Sequence, residues 1–395
     1  MSYTDSWLHP KIIIGGKATG DYYFKRRLIE NDIWKEVEKG NHVLISAPRR
    51  IGKTSIMISL TSPSRNGYKL LFKNIQGINT EKLLYREIYH LILQCLSKFD
   101  SNKKQIKDYF KKIGISEISL SSIKLGNKDI DYVHEINTII PKLEKQGEKI
   151  VLLLDELPEV LHTLFKAGKS DSATSILSNL RYWRQEEKFS NLIFVLAGSI
   201  GIHHIVNKVE GRSKDINDIK IVNCPSLTEE QFEKYLGWVL QDASIKFSKE
   251  SIDHFKQKIQ YFVPYFINLV LDEIDKTAYI TRVKQISNND IDIAFDKVLK
   301  NTSHFEDWKN RLKQYLNKDD YSYSNQVLTH ISHKDKITKQ ELYDVAVKFE
   351  KADDYMSLIF DLERDGYIHE IEDKYLFISP FLKAYWKKSN PIYNA

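Results

Sequence analysis

The chain has 395 residues, which is long enough for two or three domains. With 42% hydrophobic and 28% charged residues, it has the composition of a globular protein that can bury a large core. It has no run of about 18–20 apolar residues, and its N-terminus lacks the apolar segment of a secretory signal, which argues against membrane insertion and secretion. The two cysteines, Cys95 and Cys224, are far apart in sequence, so we expect a reduced, cytoplasmic protein with no membrane partner.

The net charge of +6 is unevenly distributed along the chain. Between Arg65 and Lys128, thirteen Lys and Arg residues stand against five acidic residues, a local excess of +8. A surface that binds nucleic acid or an acidic partner would show this pattern, and so would a solvated lysine-rich insertion. Both interpretations remain open for the basic insertion, residues 98–128.

Helical and strand patterns alternate through the first half of the chain. A helix is predicted over residues 28–38, with Ile29, Ile33, Trp34 and Val37 on one face and Gly40 as its stop signal. Short apolar runs predict buried parallel strands, with helical periods between them. These runs are HVLIS (42–46), YKLLFKNI (68–75), IVLLLDE (150–156) and LIFVLA (192–197), and ISEISLSSIKLG (115–126) alternates like a strand or hairpin. The alternation predicts an α/β fold, a parallel sheet with helices on both faces.

The second half of the chain is predicted to be mainly helical. SLTEEQFEKYLGWVL (226–240) opens with a start that resembles a capping box, and helical patterns continue to about residue 315. Three further helices, the last ended by Gly366, precede an alternating segment around EDK (372–374), which is the order of a winged helix. We therefore expect an α/β domain at 1–225, a small helical domain at 226–318 and a winged helix at 319–395.

Residues 47–54 nearly fit the phosphate-binding loop pattern G-x-x-x-x-G-K-[ST], with Ala47 in place of the first glycine. The motif follows a buried-type strand and opens a helix, so backbone N–H groups and the helix dipole favour phosphate there. Lys53 would bind the β- and γ-phosphates, and the Thr54 hydroxyl would bind Mg²⁺. The predicted nucleotide contacts of the loop are Ala47, Pro48, Arg49, Arg50, Ile51, Gly52, Lys53, Thr54 and Ser55. For the two loop-tip arginines we favour a bracing salt bridge over direct catalysis.

Two acidic residues end the strand IVLLLDE. Asp155 can bind Mg²⁺ there, and Glu156 can orient or deprotonate the attacking water. A surface pair at a strand end is the alternative, but a phosphate loop upstream in the right order favours a site for ATP or GTP. Ser199 follows the next apolar strand and is predicted to sense the γ-phosphate or the water, unless it is a structural turn serine.

The segments GG…YYFKR, APRRIGKTS and LLLDE, together with the winged-helix pattern, resemble a known group. It is the archaeal-type or AAA-like P-loop ATPases of bacteria and archaea, which are related to AAA+ and STAND proteins and to origin-recognition ATPases. The resemblance covers most of the chain but not the basic insertion. It implies ATP and Mg²⁺ as ligands, with Lys53 and Thr54 at the phosphates and metal, Asp155 at the metal and Glu156 at the water.

The resemblance implies further nucleotide contacts outside the loop. Ile14 and Gly15 would lie near the base, with Arg26 anchoring their segment. Pro264 would touch the adenine, although Phe262 replaces the glycine of the family pattern and proline is ordinary in a first helical turn. Many related assemblies use an arginine finger from a neighbouring subunit, for which the candidates are Arg181, Arg184 and Arg212, although solvated arginines on a helix face are the more common case.

The third helix of the predicted winged helix is acidic, with Arg364 as its one arginine. Its acidic residues are Asp353, Asp354, Asp361, Glu363 and Asp365. Because DNA docking needs basic residues on the helix that binds, this helix is expected to contact protein. The leading hypothesis is an ATP-hydrolysing switch that changes its protein partner or homo-oligomer, in signalling or antiviral defence by analogy with the group. The alternative is a DNA-associated ATPase that binds nucleic acid through the basic insertion, and the presence of Glu156 disfavours a structural protein without turnover.

Overall fold

The computed structural model describes residues 7–63, 65–97, 130–144, 149–198, 205–206 and 216–393. Its contacts form two compact units. Lys25–Ser46 and Lys53–Asn223 make up the first, here called the α/β unit, and Met1–Phe24, Ala47–Gly52 and Cys224–Ala395 make up the second, the helical unit. The strand or hairpin predicted at 115–126 and the whole of the basic insertion lie outside the described residues. The predicted boundaries at 225 and 318 remain a prediction.

The α/β unit has a five-stranded parallel sheet with the strand order β2-β3-β4-β1-β5. The strands are β1 (Val43–Ser46), β2 (Tyr68–Asn74), β3 (Lys149–Asp155), β4 (Leu192–Ala197) and β5 (Lys220–Asn223). The helices are α1 (Arg27–Glu38), α2 (Lys53–Leu60), α3 (Glu81–Ser97), α4 (Tyr132–Glu144), α5 (Leu157–Lys166) and α6 (Ser170–Gln185). The α/β prediction is confirmed.

The central strands form the core of the α/β unit. Every residue of β4 is buried, as is every residue of β3 after Lys149, which is typical of parallel strands covered on both faces. In β1, Val43 pairs with Val195 of β4, so β4 lies between β1 and β3. Because the strands are parallel, the loops after β1, β3 and β4 leave the sheet at the same edge.

In α1, the local sequence pattern predicted both the buried face and the end of the helix. Its predicted face is confirmed, because Ile29, Ile33, Trp34 and Val37 are all buried. The chain leaves the helix at Gly40, whose φ of 83° lies in the left-handed region that glycine adopts without strain. By contrast, α5, which begins directly after the two acidic residues, was not predicted from the sequence.

The helical unit contains a two-stranded sheet and a three-stranded antiparallel sheet with the order β8-β10-β9. Its strands are β6 (Lys246–Phe247), β7 (Gln285–Ile286), β8 (Ile337–Thr338), β9 (Ile368–Ile371) and β10 (Lys374–Phe377). Its helices are α7 (Glu229–Val239), α8 (Lys249–Ile259), α9 (Pro264–Thr281), α10 (Asn288–Lys300), α11 (Glu306–Tyr315), α12 (Lys318–Lys334), α13 (Lys339–Lys348), α14 (Tyr355–Arg364) and α15 (Pro380–Ser389).

Local signals fix several boundaries of the helical unit. The Thr228 side chain caps α7 by accepting a hydrogen bond from the backbone N–H of Gln231. The Gln231 side chain in turn accepts from the backbone N–H of Thr228, which completes the predicted capping box. In the C-terminal region, α12, α13 and α14 precede the β9–β10 hairpin, which turns at Glu372 and Asp373. This is the predicted order, with β8 as an additional strand, and the winged-helix assignment itself stays a prediction. No described helix is both long and apolar enough to cross a membrane.

Candidate active site

The two sequence motifs meet at the edge of the sheet. Thr54 lies in the first turn of α2, and Asp155 is the last residue of β3. The Thr54 hydroxyl donates a hydrogen bond of 2.6 Å to Oδ2 of Asp155, across 101 residues of sequence. The residues predicted to bind the metal therefore lie side by side.

Asp155 is held in an environment that disfavours its charge. The carboxylate is 1% exposed, and burial raises its pKa, as does the negative charge of Glu156. The hydrogen bond from Thr54 and the positive charge of Lys53 oppose this shift. A cation bound beside Asp155 would favour the ionised form.

The donor set at this position fits Mg²⁺. A hydroxyl and a carboxylate oxygen are hard ligands, and Mg²⁺ in phosphate sites is held by one or two such protein groups together with water and phosphate. Among the described residues, no group of three or more His, Cys, Asp or Glu side chains is placed to hold a metal ion. Thr54 and Asp155 would thus hold the ion with oxygens from the nucleotide and from water.

Glu156 adopts an unusual backbone conformation. Its φ of 71° and ψ of 32° lie in the left-handed region, which costs a residue with a Cβ about 1 kcal/mol or more. Its N–H donates to the carbonyl of Ala197 at the end of β4, and α5 begins at the next residue. The backbone of the predicted catalytic acid is therefore fixed to the neighbouring strand.

The loop after β4 is constrained by α5. A Cβ at Gly198 would lie 2.5 Å from Cδ of Pro158, closer than such atoms approach in proteins, so only glycine fits. The constraint on Gly198 was not predicted from the sequence, because it comes from a proline forty residues earlier in the chain. Ser199 lies outside the described residues, and its predicted role remains a prediction.

The phosphate loop, which connects β1 to α2, contains two residues in the left-handed region of backbone conformation. Arg50 has a φ of 66° and Gly52 a φ of 104°. Ile51 is buried, as are Lys53 and Ser55 at the start of α2. Gly52 therefore meets a conformational need, whereas Arg50 takes up a conformation that arginine rarely adopts.

The loop-tip arginines contact the helical unit, to which residues 47–52 belong. Arg49 forms an ion pair with Asp307 of α11, and its guanidinium lies 5.9 Å from the ring centre of Trp308. Arg50 stacks over Tyr265, with 4.7 Å between the guanidinium carbon and the ring centre. The bracing salt bridge expected from sequence is thus formed by Arg49.

The other residues that the resemblance implies at the nucleotide are divided between the two units. Ile14, Gly15 and Pro264 belong to the helical unit, and Arg26 belongs to the α/β unit. Gly15 offers its carbonyl to Nη1 of Arg50 at 3.5 Å, and Pro264 is the first residue of α9, next to Tyr265. Ile14 belongs to the same N-terminal segment, whereas Arg26 is a buried residue of the α/β unit. Ala47 and Pro48 are half-buried residues of the loop.

Asn268, in the second turn of α9, was missed by sequence analysis. Its Nδ2 donates to the carbonyl of Ile13 at 3.1 Å, and its Oδ1 accepts from the Tyr235 hydroxyl at 2.7 Å. The N-terminal segment is thereby bonded to α9 and α7 within the helical unit. A buried asparagine on a helix could have signalled this, but its partner could not be read from the sequence.

One of the arginine-finger candidates has a structural role. Nε and Nη2 of Arg184 donate to the two carboxylate oxygens of Asp218 at 2.8 and 3.0 Å, and the arginine side chain is 1% exposed. A side chain buried in such a fork-to-fork pair does not reach a neighbouring subunit. Arg181 bonds Gln185 on its own helix, and Arg212 lies outside the described residues.

The chain matches a known protein family. The family model described as "AAA-like domain" matches residues 16–300. The chain belongs to this family of AAA-like proteins. The resemblance stated from the motifs is therefore confirmed, and the match extends from the N-terminal segment into α10. No curated protein matches the chain in sequence.

One solved structure shows the same fold as this AAA-like protein, and a second aligns less well. A Walker-type ATPase of Pyrococcus abyssi aligns with a TM-score of 0.60 at 15% identity, over 94% of this chain and 98% of that chain. The ORC2 protein of Aeropyrum pernix aligns with a TM-score of 0.49 at 9% identity, over 92% and 93% of the two chains. At these identities the first likeness shows the fold alone.

Proposed function

We propose that this AAA-like protein binds ATP with Mg²⁺ and hydrolyses it at the edge of the parallel sheet. The observation that carries the proposal is the 2.6 Å hydrogen bond between Thr54 and Asp155. It joins the residue after the loop lysine to the acid at the end of β3, which is the pairing that a Mg²⁺–nucleotide site requires. Lys53, next to Thr54, supplies the charge for the phosphates.

The roles of the residues follow from their places in the fold. The N–H groups at the start of α2 and the ammonium of Lys53 bind the phosphate oxygens. Thr54 and Asp155 would hold Mg²⁺, which would supply positive charge against the charge that develops on the phosphate. Glu156 accepts a proton from the attacking water as the water oxygen bonds to the γ-phosphorus and the bond to the bridging oxygen breaks. Ser199 is assigned to sense the γ-phosphate.

The protein further acts as a switch, in which nucleotide state changes domain closure and the binding of a protein partner or of other copies of the chain. What supports this is the loop tip, where Arg49 and Arg50 contact Asp307 and Tyr265 of the helical unit. A change in loop conformation on nucleotide binding therefore acts directly on those contacts. A role in bacterial defence or signalling in the cytoplasm is the biological setting we assign to it.

Phosphate release and nucleotide binding test the proposal. Wild type should release phosphate from ATP in the presence of Mg²⁺, and Glu156→Gln should lower the rate by about a hundredfold or more while still binding ATP. Glu187→Gln removes the same charge from an exposed position of the same unit and should leave the rate unchanged. Equal rates for wild type and Glu156→Gln would refute hydrolysis at this site.

The binding step has its own test. Lys53→Ala should abolish detectable ATP binding by calorimetry, whereas Lys35→Ala, at an exposed position of α1, should not weaken it. Undiminished affinity in Lys53→Ala would mean that the loop has been misassigned.

The alternative function, a DNA-associated ATPase, depends on the basic insertion, which lies outside the described residues. Salt-dependent binding of duplex DNA that is lost when lysines between 98 and 128 are neutralised would favour it over the switch.

A further inference from the structure

The tip of the phosphate loop is held by two other parts of the helical unit, α11 and the turn after α14. Arg49 pairs with Asp307, and its backbone N–H donates to the carbonyl of Asp365 at 3.4 Å. A Cβ at Gly366 would lie 2.5 Å from Cβ of Pro48, so the chain after α14 touches the loop where only glycine fits. The loop tip is thus enclosed by α11 and by the turn that leads from α14 into β9.

These contacts form a connected network. The Tyr367 hydroxyl donates to the carbonyl of Trp308 at 2.8 Å, and the two rings meet edge to face at 5.2 Å. Trp308 follows Asp307, and Tyr367 follows Gly366. The residues that contact Pro48 and Arg49 are therefore fixed to one another by a buried hydrogen bond and an aromatic contact.

Asp307 stabilises the charged form of Arg49 at the loop tip. Arg49 is 15% exposed, and burial lowers the pKa of its guanidinium, as do the nearby charges of Arg311 and Arg50. The carboxylate of Asp307 opposes that shift through its charge and its hydrogen bond. Without it, Arg49 would remain partly desolvated beside two other arginines.

The backbone beside this pair is strained. Arg50 has a φ of 66°, a conformation that costs about 1–2 kcal/mol and persists only where surrounding contacts hold it. Two contacts hold it there. Arg50 stacks on Tyr265, and Asp307 forms an ion pair with the preceding residue, Arg49. Two residues later in the chain, Gly52 leads into Lys53 and the helix N-terminus that binds phosphate.

We propose that Asp307 is a positioning residue for nucleotide binding, which holds the phosphate loop in its binding conformation through Arg49. This inference rests on the proposed ATP site. It assigns to α11, more than 250 residues from the loop in sequence, a share in the affinity for ATP. By linkage, nucleotide binding stabilises the contact between the loop tip and α11.

The test compares dissociation constants of a non-hydrolysable ATP analogue with Mg²⁺, measured by calorimetry on the full chain. Asp307→Asn should weaken binding by about tenfold, the effect of losing one charged contact. Glu306→Gln is the matched control, because Glu306 shares the first turn of α11 and its dipole effect but bonds Thr302. It should change the dissociation constant by less than about twofold.

A charge swap separates positioning from a general loss of stability. The double variant Arg49→Asp, Asp307→Arg should bind more tightly than Arg49→Asp alone, because the ion pair is restored with opposite polarity. Thermal unfolding without nucleotide is measured in parallel for every variant. A lower melting temperature with unchanged affinity in Asp307→Asn would show a purely structural role and refute the inference.

Binding of the analogue by wild type and by Lys53→Ala distinguishes failure of the proposed function from failure of the positioning role. If wild type fails to bind the analogue, the proposed function falls and the inference with it. If wild type binds and Lys53→Ala does not, the site stands. Equal or tighter binding by Asp307→Asn would then overturn the positioning role alone.

Discussion

The ring of Pro158 occupies the space that a side chain at Gly198 would need. The contact joins the first turn of α5 to the loop after β4, and it places a Cβ at position 198 only 2.5 Å from Cδ and 2.6 Å from Cγ of the proline. Because both atoms belong to a rigid ring, the clash cannot be relieved by a rotamer change. Gly198 and Pro158 thus set the path of the chain next to Glu156.

Gly198→Ala is expected to destabilise the protein by about 1–3 kcal/mol, the cost of overpacking a fixed site. Urea unfolding followed by circular dichroism measures the change. Gly237→Ala is the control, because an added Cβ there meets nothing within 4 Å and position 237 is an exposed position of α7. That variant should gain up to about 1 kcal/mol from helix propensity. A Gly198→Ala protein as stable as wild type would contradict the packing described.

The Thr54 hydroxyl should account for the metal dependence of binding. In Thr54→Val the shape is kept and the hydroxyl is lost, so the tightening of ATP binding by Mg²⁺ should fall by about tenfold or more. Thr54→Ser keeps the hydroxyl and should retain the effect. Titrations with Mg²⁺ and with EDTA measure the difference. If the valine variant responds to Mg²⁺ as strongly as the serine variant does, the metal assignment is wrong.

His42 should make stability depend on pH. Burial lowers its pKa to about 4, with a further contribution from the charge of Arg184, and its Nδ1 accepts the N–H of Phe194 at 3.0 Å. The unfolded chain, with a histidine pKa of 6.5, therefore binds the proton first as the pH falls. The stabilising effect of the neutral ring is complete above pH 6.5 and is lost toward pH 4, by about 3 kcal/mol at most.

Unfolding free energies measured from pH 7 to pH 4 check this expectation. The loss of stability across the window should be smaller in His42→Gln, whose amide oxygen can accept the same N–H but does not titrate. His134→Gln removes an exposed histidine of α4 and should follow the wild-type curve. Parallel curves for His42→Gln and wild type would assign the pH dependence to other groups.

The ion pair between Arg184 and Asp218 should matter for stability. Asp218→Ala leaves the guanidinium, 1% exposed, without its carboxylate partner, and breaking a buried pair costs about 3–5 kcal/mol. Because Asp218 is 23% exposed and water can reach its place, we expect the lower end, about 3 kcal/mol. Chemical denaturation measures it, with Asp32→Ala at an exposed position of α1 as the control. A loss no larger than that of the control would mean that water replaces the carboxylate.

Parts of the fold follow directly from local pattern. The spacing of Ile29, Ile33 and Val37 predicted the buried face of α1, and Gly40 predicted its end. In the same way, the apolar runs predicted β3 and β4. Such signals are short in range, because helical and strand periods place side chains on a face whatever the rest of the chain does.

The candidate site was predictable in part for a different reason. The loop around Lys53 and the acids that follow β3 are types of residue that nucleotide chemistry demands, so their order identified the site and the family before their meeting at Thr54 and Asp155 was known. The helix α5 was missed because its start at a left-handed Glu156 carries no capping signal. Gly198 was missed because its clash depends on Pro158 alone.

The sequence by itself determined the alternation of strands and helices, the phosphate loop, the acidic pair and thereby the AAA-like family. Only the tertiary structure decided what the loop arginines contact, since Asp307 lies 258 residues from Arg49 and no local pattern links the two residues. The same holds for Arg184, which a helical face would have left in solvent and which Asp218 buries. Contacts of this kind depend on the path of the whole chain, whereas motifs and periods can be recognised from residues that are close in sequence.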